Sequence, residues 1–435
     1  MTLDSHDVPL YIVSNGENFS TPGDKNAIEN GGETKPQRDT WSRGTEFLFS
    51  CIAMSVGLGN LWRFPHIAVK NGGGAFVIPY IIVLAIIGIP GYFLEMTMGQ
   101  FSSRGTIKVY DCVPAMRGVG IGQVIASIFV STYYSSIMGL ILKYLSNSVF
   151  SVVLPWATCE KEWENCYNAS SDAISGLNKT TSSALYFEKS VYNMTSGLNE
   201  GIGHLNWNLV GYLAISWTLV FLILSKGIKS SGKVAYFLAI FPYIMMLILL
   251  AKSLTLDGAW DGVRQFFKPD FGKMRDPEVW YDAVTQVFFS LNVYFANVIM
   301  YSSYNNFRHK IHRDAAIVSI LDTFTSLLAG TCVFAVLGHL AKIKNIENII
   351  DVAGGGPGIA FVAYPEAITK LKSYAKFFSS LFFLMLYLLG IGSNVAMASC
   401  IMTEIKDHFN SVKTWQAALM VAIFGTLAGS IYYTQ

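Results

Sequence analysis

The chain has 435 residues, 52% hydrophobic and only 14% charged, with a mean hydropathy of +0.40. Soluble domains carry about a quarter charged residues, so this composition excludes a water-soluble globule and points to an all-α polytopic membrane protein in a lipid bilayer. The formal net charge of +2 is uninformative, and no basic tract suggests a nucleic-acid partner, so none is expected.

Residues 1–40 are polar and lack the basic-then-apolar pattern of a signal peptide; they read as a cytosolic N-terminal tail. A spanning helix needs about 20 mostly apolar residues. Nine segments qualify: 47–69, 74–98, 119–144, 207–225, 234–252, 281–304, 313–341, 376–404 and 414–433. Arg63, Glu95 and Asp322 are the charges inside them. The polar loop 150–206 carries three glycosylation sequons, at Asn168, Asn178 and Asn193, and a close cysteine pair, Cys159 and Cys166. Glycans and a disulfide both belong on the non-cytosolic side. The loop follows the third span, so the N-terminus is expected in the cytosol. Basic residues at 104, 108 and 117, at 226, 229 and 233, and at 308, 310 and 313 agree with this orientation. Lysines in loops 253–280 and 342–375 run against it and weigh less than the sequons.

Two spans carry residues that weaken a helix. Span one holds SVGLGN (Ser55–Asn60), and span six holds SLNVYFANV (Ser290–Val298). Each interior glycine costs a helix about 1 kcal/mol. Glycines in membrane helices also allow close packing. Here, however, Asn60 and Arg63 follow within a turn, and a second break sits at the matching position five spans later, running the opposite way. That pattern predicts an inverted-repeat transporter fold whose discontinuous helices one and six meet near the midplane. Free N–H groups at such a break suit an anion, and unwound carbonyls suit a small cation.

Several motifs resemble the sodium:neurotransmitter symporter family. They are SVGLGNLWRFP (Ser55–Pro65), NGGGAFVIPY (Asn71–Tyr80), GIPGYFLEMTMGQ (Gly88–Gln100), STYYSS (Ser131–Ser136), YSSYNNF (Tyr301–Phe307), RDAAIV (Arg313–Val318) and TEIKD (Thr403–Asp407). The match runs from about residue 38 to the end, and SLNV and GIGSN are most similar to the insect nutrient amino acid transporter branch. The resemblance implies a first repeat over 41–252 and an incomplete second repeat over 253–435, with nine of twelve family spans present. A C-terminally incomplete chain is therefore expected, with the acidic partner of Arg63 beyond Gln435.

By resemblance, the substrate carboxylate meets the N–H groups of Leu58 and Gly59 and the hydroxyl of Tyr134. Val130, Phe289, Ser290, Asn292, Phe295, Ser393 and Met397 complete the substrate pocket. A first sodium is implied at Ser55, Asn60, Ser290 and Asp322. A second is implied at the carbonyls of Ala53, Val56 and Leu389 and the hydroxyl of Ser393, beside Gly392. Oxygen donors of this kind suit a hard cation. A chloride site matches Tyr80, Gln286, Ser290 and Ser326. Arg63 corresponds to the outer gate; Arg38, Tyr304 and Asp407, with Trp41 nearby, correspond to the inner gate; Glu95 is expected to brace the break in span six.

The departures matter as much. Asp322 stands where the family commonly has Asn, and its negative charge beside the matched chloride site predicts weak or absent chloride dependence. Gly392 replaces an Asp or Thr and removes one oxygen from the second sodium set, leaving stoichiometry open. Asn292 and Tyr294 replace small residues near the pocket, and the pocket's part of span one offers no carboxylate for an amine, which favours whole neutral amino acids. The expected function is sodium-coupled symport of neutral amino acids by alternating access at the plasma membrane. The alternative is a truncated, non-transporting member that regulates a full-length partner. A homo-oligomer is left open. No catalytic or metal-binding motif gathers at one membrane depth, so an enzyme is not expected, and the breaks suit a closed site better than a channel filter. Cys51, Cys112, Cys332 and Cys400 read as buried structural residues, and Gly354–Pro357 as a tight turn.

Overall fold

Long apolar segments in lipid must satisfy their backbone groups internally, and this chain is accordingly helical almost throughout. A computed structural model describes residues 39–171, 180–194, 203–346, 358–409 and 411–434. Arg38, Asn178 and the 354–357 turn lie outside these residues. The helices are α1 (Gly44–Ser55), α2 (Gly59–Lys70), α3 (Gly74–Ser102), α4 (Arg117–Phe150), α5 (Trp207–Leu224), α6 (Ile228–Ser253) and α7 (Ala259–Phe267). They continue as α8 (Pro277–Leu291), α9 (Asn297–Ser302), α10 (Ile311–Lys344), α11 (Ile359–Thr369), α12 (Ala375–His408) and α13 (Thr414–Ser430).

Among the described residues, seven helices are long and apolar enough to cross a membrane: α3, α4, α5, α6, α10, α12 and α13. The pair α1 and α2, bent by 45°, makes an eighth if counted as one span. The remaining expected segment is split into α8, of 15 residues, and α9, of 6, by the stretch 292–296. Neither piece reaches spanning length alone. Connecting segments hold structure that apolar length does not reveal: α7 lies in the loop 253–280 and packs on α10, and α11 lies before α12.

The most enclosed of these helices is α12, which runs along α4, α6 and α1. Its middle is built of small residues, Gly390, Gly392, Ser393, Ala396 and Ala398, which let neighbouring backbones approach. At one end, Trp41 is buried and donates its indole N–H to the Tyr301 carbonyl at 3.0 Å, while its own backbone N–H donates to the Tyr304 carbonyl at 3.1 Å. The opposite end carries an aromatic cluster of Tyr144, Trp156, Phe361 and Phe383. There Cys159 and Cys166 form a disulfide, and β1 (Cys166–Tyr167) pairs in parallel with β2 (Thr180–Thr181). An ion pair between Lys344 and Glu366, at 2.9 Å with side chains 16% and 3% exposed, fastens α10 to α11 on that side. Cys51, Cys332 and Cys400 are buried as expected, but Cys112 is exposed because it closes a short helical turn between α3 and α4.

Candidate functional site

The first break forms because α1 stops at Ser55 and its backbone turns inward. The Val56 N–H still reaches the Ile52 carbonyl at 2.9 Å, but the Gly57 N–H donates to Asn60 Oδ1 at 3.1 Å instead of continuing the helix. Neither Gly57 nor Gly59 has a positive φ. Their role is space: a Cβ at Gly57 would stand 2.8 Å from Ser393 Oγ, and one at Gly59 would stand 3.2 Å from the Phe289 ring.

The second break takes the left-handed backbone at three residues that are not glycine, Asn292 (φ 55°), Tyr294 (φ 67°) and Ala296 (φ 69°). Such residues cost about 1 kcal/mol or more each and persist only where their surroundings hold them. The Tyr294 N–H donates to Glu95 Oε2 at 3.1 Å, and Gln123 Nε2 donates to Glu95 Oε1 at 3.1 Å. The Phe295 carbonyl accepts from Ser127 Oγ at 2.5 Å, and the Ala296 carbonyl from Thr106 Oγ1 at 3.0 Å. Glu95 thus accepts two hydrogen bonds at the break; Ser127 and Thr106 were not legible, because polar residues serving a distant carbonyl leave no local spacing signal.

One carbonyl ties the two breaks together. Met54 O, freed at the end of α1, accepts from Ser393 Oγ on α12 at 2.8 Å and from Asn292 Nδ2 at 3.2 Å. Around it lies a narrow cavity of about 30 Å³, well below the usual range for small-molecule sites. All ten residues assigned to substrate from the sequence line it: Leu58, Gly59, Val130, Tyr134, Phe289, Ser290, Asn292, Phe295, Ser393 and Met397. Met54, Ser55, Gly57 and Asn60 complete the wall. Two polar groups here are buried without a hydrogen-bond partner, Tyr134 OH and Ser55 Oγ. A buried group left unpaired costs about 1–3 kcal/mol, so both are poised for a polar ligand. The guanidinium of Arg63 sits 4.6 Å above the Phe289 ring, a cation–π contact that roofs the cavity. Beyond that roof lies a second hollow, bordered by Trp62, Arg63, Tyr133 and Ile137. Among the described residues Arg63 makes no ion pair.

Asp322, on α10, is fully buried. Its Oδ1 accepts from Asn60 Nδ2 at 2.8 Å; its Oδ2 accepts from Ser290 Oγ at 2.7 Å and from Tyr80 OH at 3.4 Å. Asn60 Nδ2 also reaches Ser326 Oγ at 2.9 Å. The residues assigned to chloride therefore surround a carboxylate already in place. Gln286 lies buried with both amide atoms unpartnered. The oxygens of Ser55, Asn60, Ser290 and Asp322 are hard donors with one full negative charge, a set that fits a small monovalent cation. Among the described residues no three His, Cys, Asp or Glu side chains gather as a transition-metal site would need. Ala53, Val56, Leu389, Gly392 and Ser393 meet where α1 ends against α12, and a Cβ on Gly392 would stand 2.4 Å from the Ala53 carbonyl oxygen.

At the Trp41 end the site is closed. Tyr304 OH bonds Thr403 Oγ1 at 2.9 Å, and Asp407 Oδ2 accepts from the Gly105 N–H at 3.1 Å. Glu404, which the sequence did not single out, accepts from the Thr106 N–H at 2.5 Å. Asn168 and Asn193 are exposed on the disulfide side.

The sequence model of the sodium:neurotransmitter symporter family matches residues 38–435. The chain is 49% identical over 420 residues to the sodium-dependent nutrient amino acid transporter 1 of Drosophila persimilis, covering 92% of this chain and 64% of that protein. It is 47% identical over 445 residues to the protein of the same name from Drosophila willistoni, covering 95% and 69%. The chain thus spans about two thirds of the length of these curated relatives. Among solved structures, MhsT in complex with L-phenylalanine matches with a TM-score of 0.74 at 24% identity, covering 91% of this chain and 81% of that one. Its backbone likeness shows the fold, and the family match shows the lineage: the chain belongs to the sodium:neurotransmitter symporter family.

Proposed function

We propose that the protein is a secondary active symporter that imports neutral amino acids with sodium across the plasma membrane by alternating access. One observation carries this reading: two broken helices and an unpaired Tyr134 hydroxyl meet at one small, largely apolar cavity, and the buried Asp322 holds two of its wall residues, Asn60 and Ser290. An amino acid zwitterion needs an anion-accepting end, which Tyr134 OH and the N–H groups at the α1–α2 break supply. Its side chain needs an apolar wall, which Val130, Phe289, Phe295 and Met397 supply. Sodium, as co-transported cargo, suits the oxygens of Ser55, Asn60, Ser290 and Asp322. In a cavity shielded from water its charge favours the nearby substrate carboxylate, which couples the two. Asp322 supplies the negative charge an anion would otherwise bring among Tyr80, Gln286, Ser290 and Ser326, so transport does not require chloride. The relatives are named as sodium-dependent nutrient amino acid transporters, which supports the same substrate class.

Movement between states follows from differential affinity: loading must favour one arrangement of the breaks over another. Trp41, Tyr304 and Asp407 form the closure at the end where α1 begins, which we assign to the cytosol. The test is uptake and two-electrode recording in oocytes with single amino acids, in sodium, potassium and sodium-free media. Sodium-dependent uptake of apolar neutral amino acids is expected. Uptake unaffected by removing sodium, or no uptake of any amino acid, overturns the reading.

A further inference from the structure

The family resemblance implies two sodium sites. We infer that this chain builds one, at Asp322, and that the second set cannot close around an ion; this rests on the symport reading above. The second set would draw on the carbonyls of Ala53, Val56 and Leu389 and on the Ser393 hydroxyl, with a side-chain oxygen from position 392 as its remaining protein ligand. That position is Gly392. The missing oxygen is not merely absent. The direction in which a side chain would leave Gly392 is filled by the Ala53 backbone, with the carbonyl oxygen 2.4 Å, the carbonyl carbon 3.1 Å and the Ala53 Cβ 3.3 Å from an ideal Cβ. Real Cβ atoms do not approach a backbone oxygen that closely, so α12 is seated on α1 where a ligand side chain would stand. The carbonyl meant to face the ion is itself packed against α12.

The remaining donors are few. Ser393 gives its hydroxyl proton to Met54 O at 2.8 Å, so only its lone pairs are left to face an ion. Leu389 lies inside the uninterrupted α12, where its carbonyl serves the helix. At most four protein oxygens remain, none charged. Hard cations generally take about six oxygens, and an ion stripped of water without them pays a desolvation cost of several kcal/mol. The first set differs in its charge. Asp322 brings a full charge, Ser290 and Asn60 already lie within 2.8 Å of it, and Ser55 Oγ is buried and unpaired. Asn60 donates its amide NH₂ to Asp322 while its Oδ1 accepts from the Gly57 N–H, so turning that amide over would bring its oxygen to an ion beside the carboxylate. The bland account of Gly392, close helix packing, is true as well, and it is that packing which closes the second site.

Equilibrium binding of radioactive sodium to the purified full chain in detergent counts sites directly and does not depend on transport. One sodium per chain is expected, bound hyperbolically, and in chloride-free medium Asp322→Asn is expected to lose it with none left behind. Two sodium ions per chain, or one still tightly bound in Asp322→Asn without chloride, overturns the single-site inference and leaves the symport reading intact. No sodium bound to the native chain overturns both. The native count decides the matter by itself should the variant not fold.

Discussion

We propose that Asp322 decides which ions this molecule takes. Its carboxylate occupies the centre of a group of hydroxyls and one amide that would otherwise suit an anion. Removing the charge while keeping the shape should restore an anion requirement. In Asp322→Asn, uptake is expected to fall severely when chloride is replaced by gluconate, whereas the native protein keeps most of its uptake. Loss of native uptake in gluconate, or a variant indifferent to chloride, counts against the assignment. Much of this chemistry was legible in the sequence, since an intramembrane acid is rare and costly. The cavity side chains were legible through their resemblance, and all ten meet in one place. Met54, Thr106 and Ser127 were not. Met54 acts through its carbonyl, which any residue carries, and the two hydroxyls serve carbonyls 168 to 190 residues away in sequence.

At the level of the helices, glycine and asparagine marked both breaks, but the physical cause differs between them. Gly57 and Gly59 make room for Ser393 and Phe289 without unusual backbone angles. The left-handed conformations fall instead on Asn292, Tyr294 and Ala296, and nothing local favours them at the last two. They are imposed by Glu95, Ser127 and Thr106. Ala296→Gly should therefore relieve strain and raise stability by about 1 kcal/mol, read as a higher midpoint in a detergent thermostability assay; a lower midpoint refutes the strain argument. Glu95→Ala strips the break of its acceptor and should cost about 2–3 kcal/mol. Glu95→Gln should cost clearly less, because Gln123 Oε1, buried without a partner, can accept from the new amide. Equal losses in the two variants would show that charge, not hydrogen bonding, holds the break.

Across the whole molecule, helix boundaries follow the apolar runs to within several residues because lipid leaves no other solution for the backbone. The interrupted sixth segment falls short of spanning length in either piece, and α7 and α11 emerge only from packing. Sidedness has its own test. Asn168 and Asn193 are exposed, and Asn168 uses its Oδ1 to accept from the Cys159 N–H at 2.7 Å, leaving Nδ2, where a glycan attaches, without a partner among the described residues. Glycosidase treatment should shift the native chain on a gel, and Asn168→Gln and Asn193→Gln should each remove part of that shift. A chain from insect cells that shows no shift would place this loop in the cytosol. The Met54 carbonyl has a mechanical consequence for the assembly as a whole. Like a rivet through three plates, it joins α1, the stretch between α8 and α9, and α12 at one oxygen, so none of the three can slide without loosening a bond to that atom. With two bonds worth about 1 kcal/mol each on one acceptor, small excursions of α1 are resisted and large ones break both, so we propose that this junction acts as a catch that snaps rather than a spring that yields by degrees.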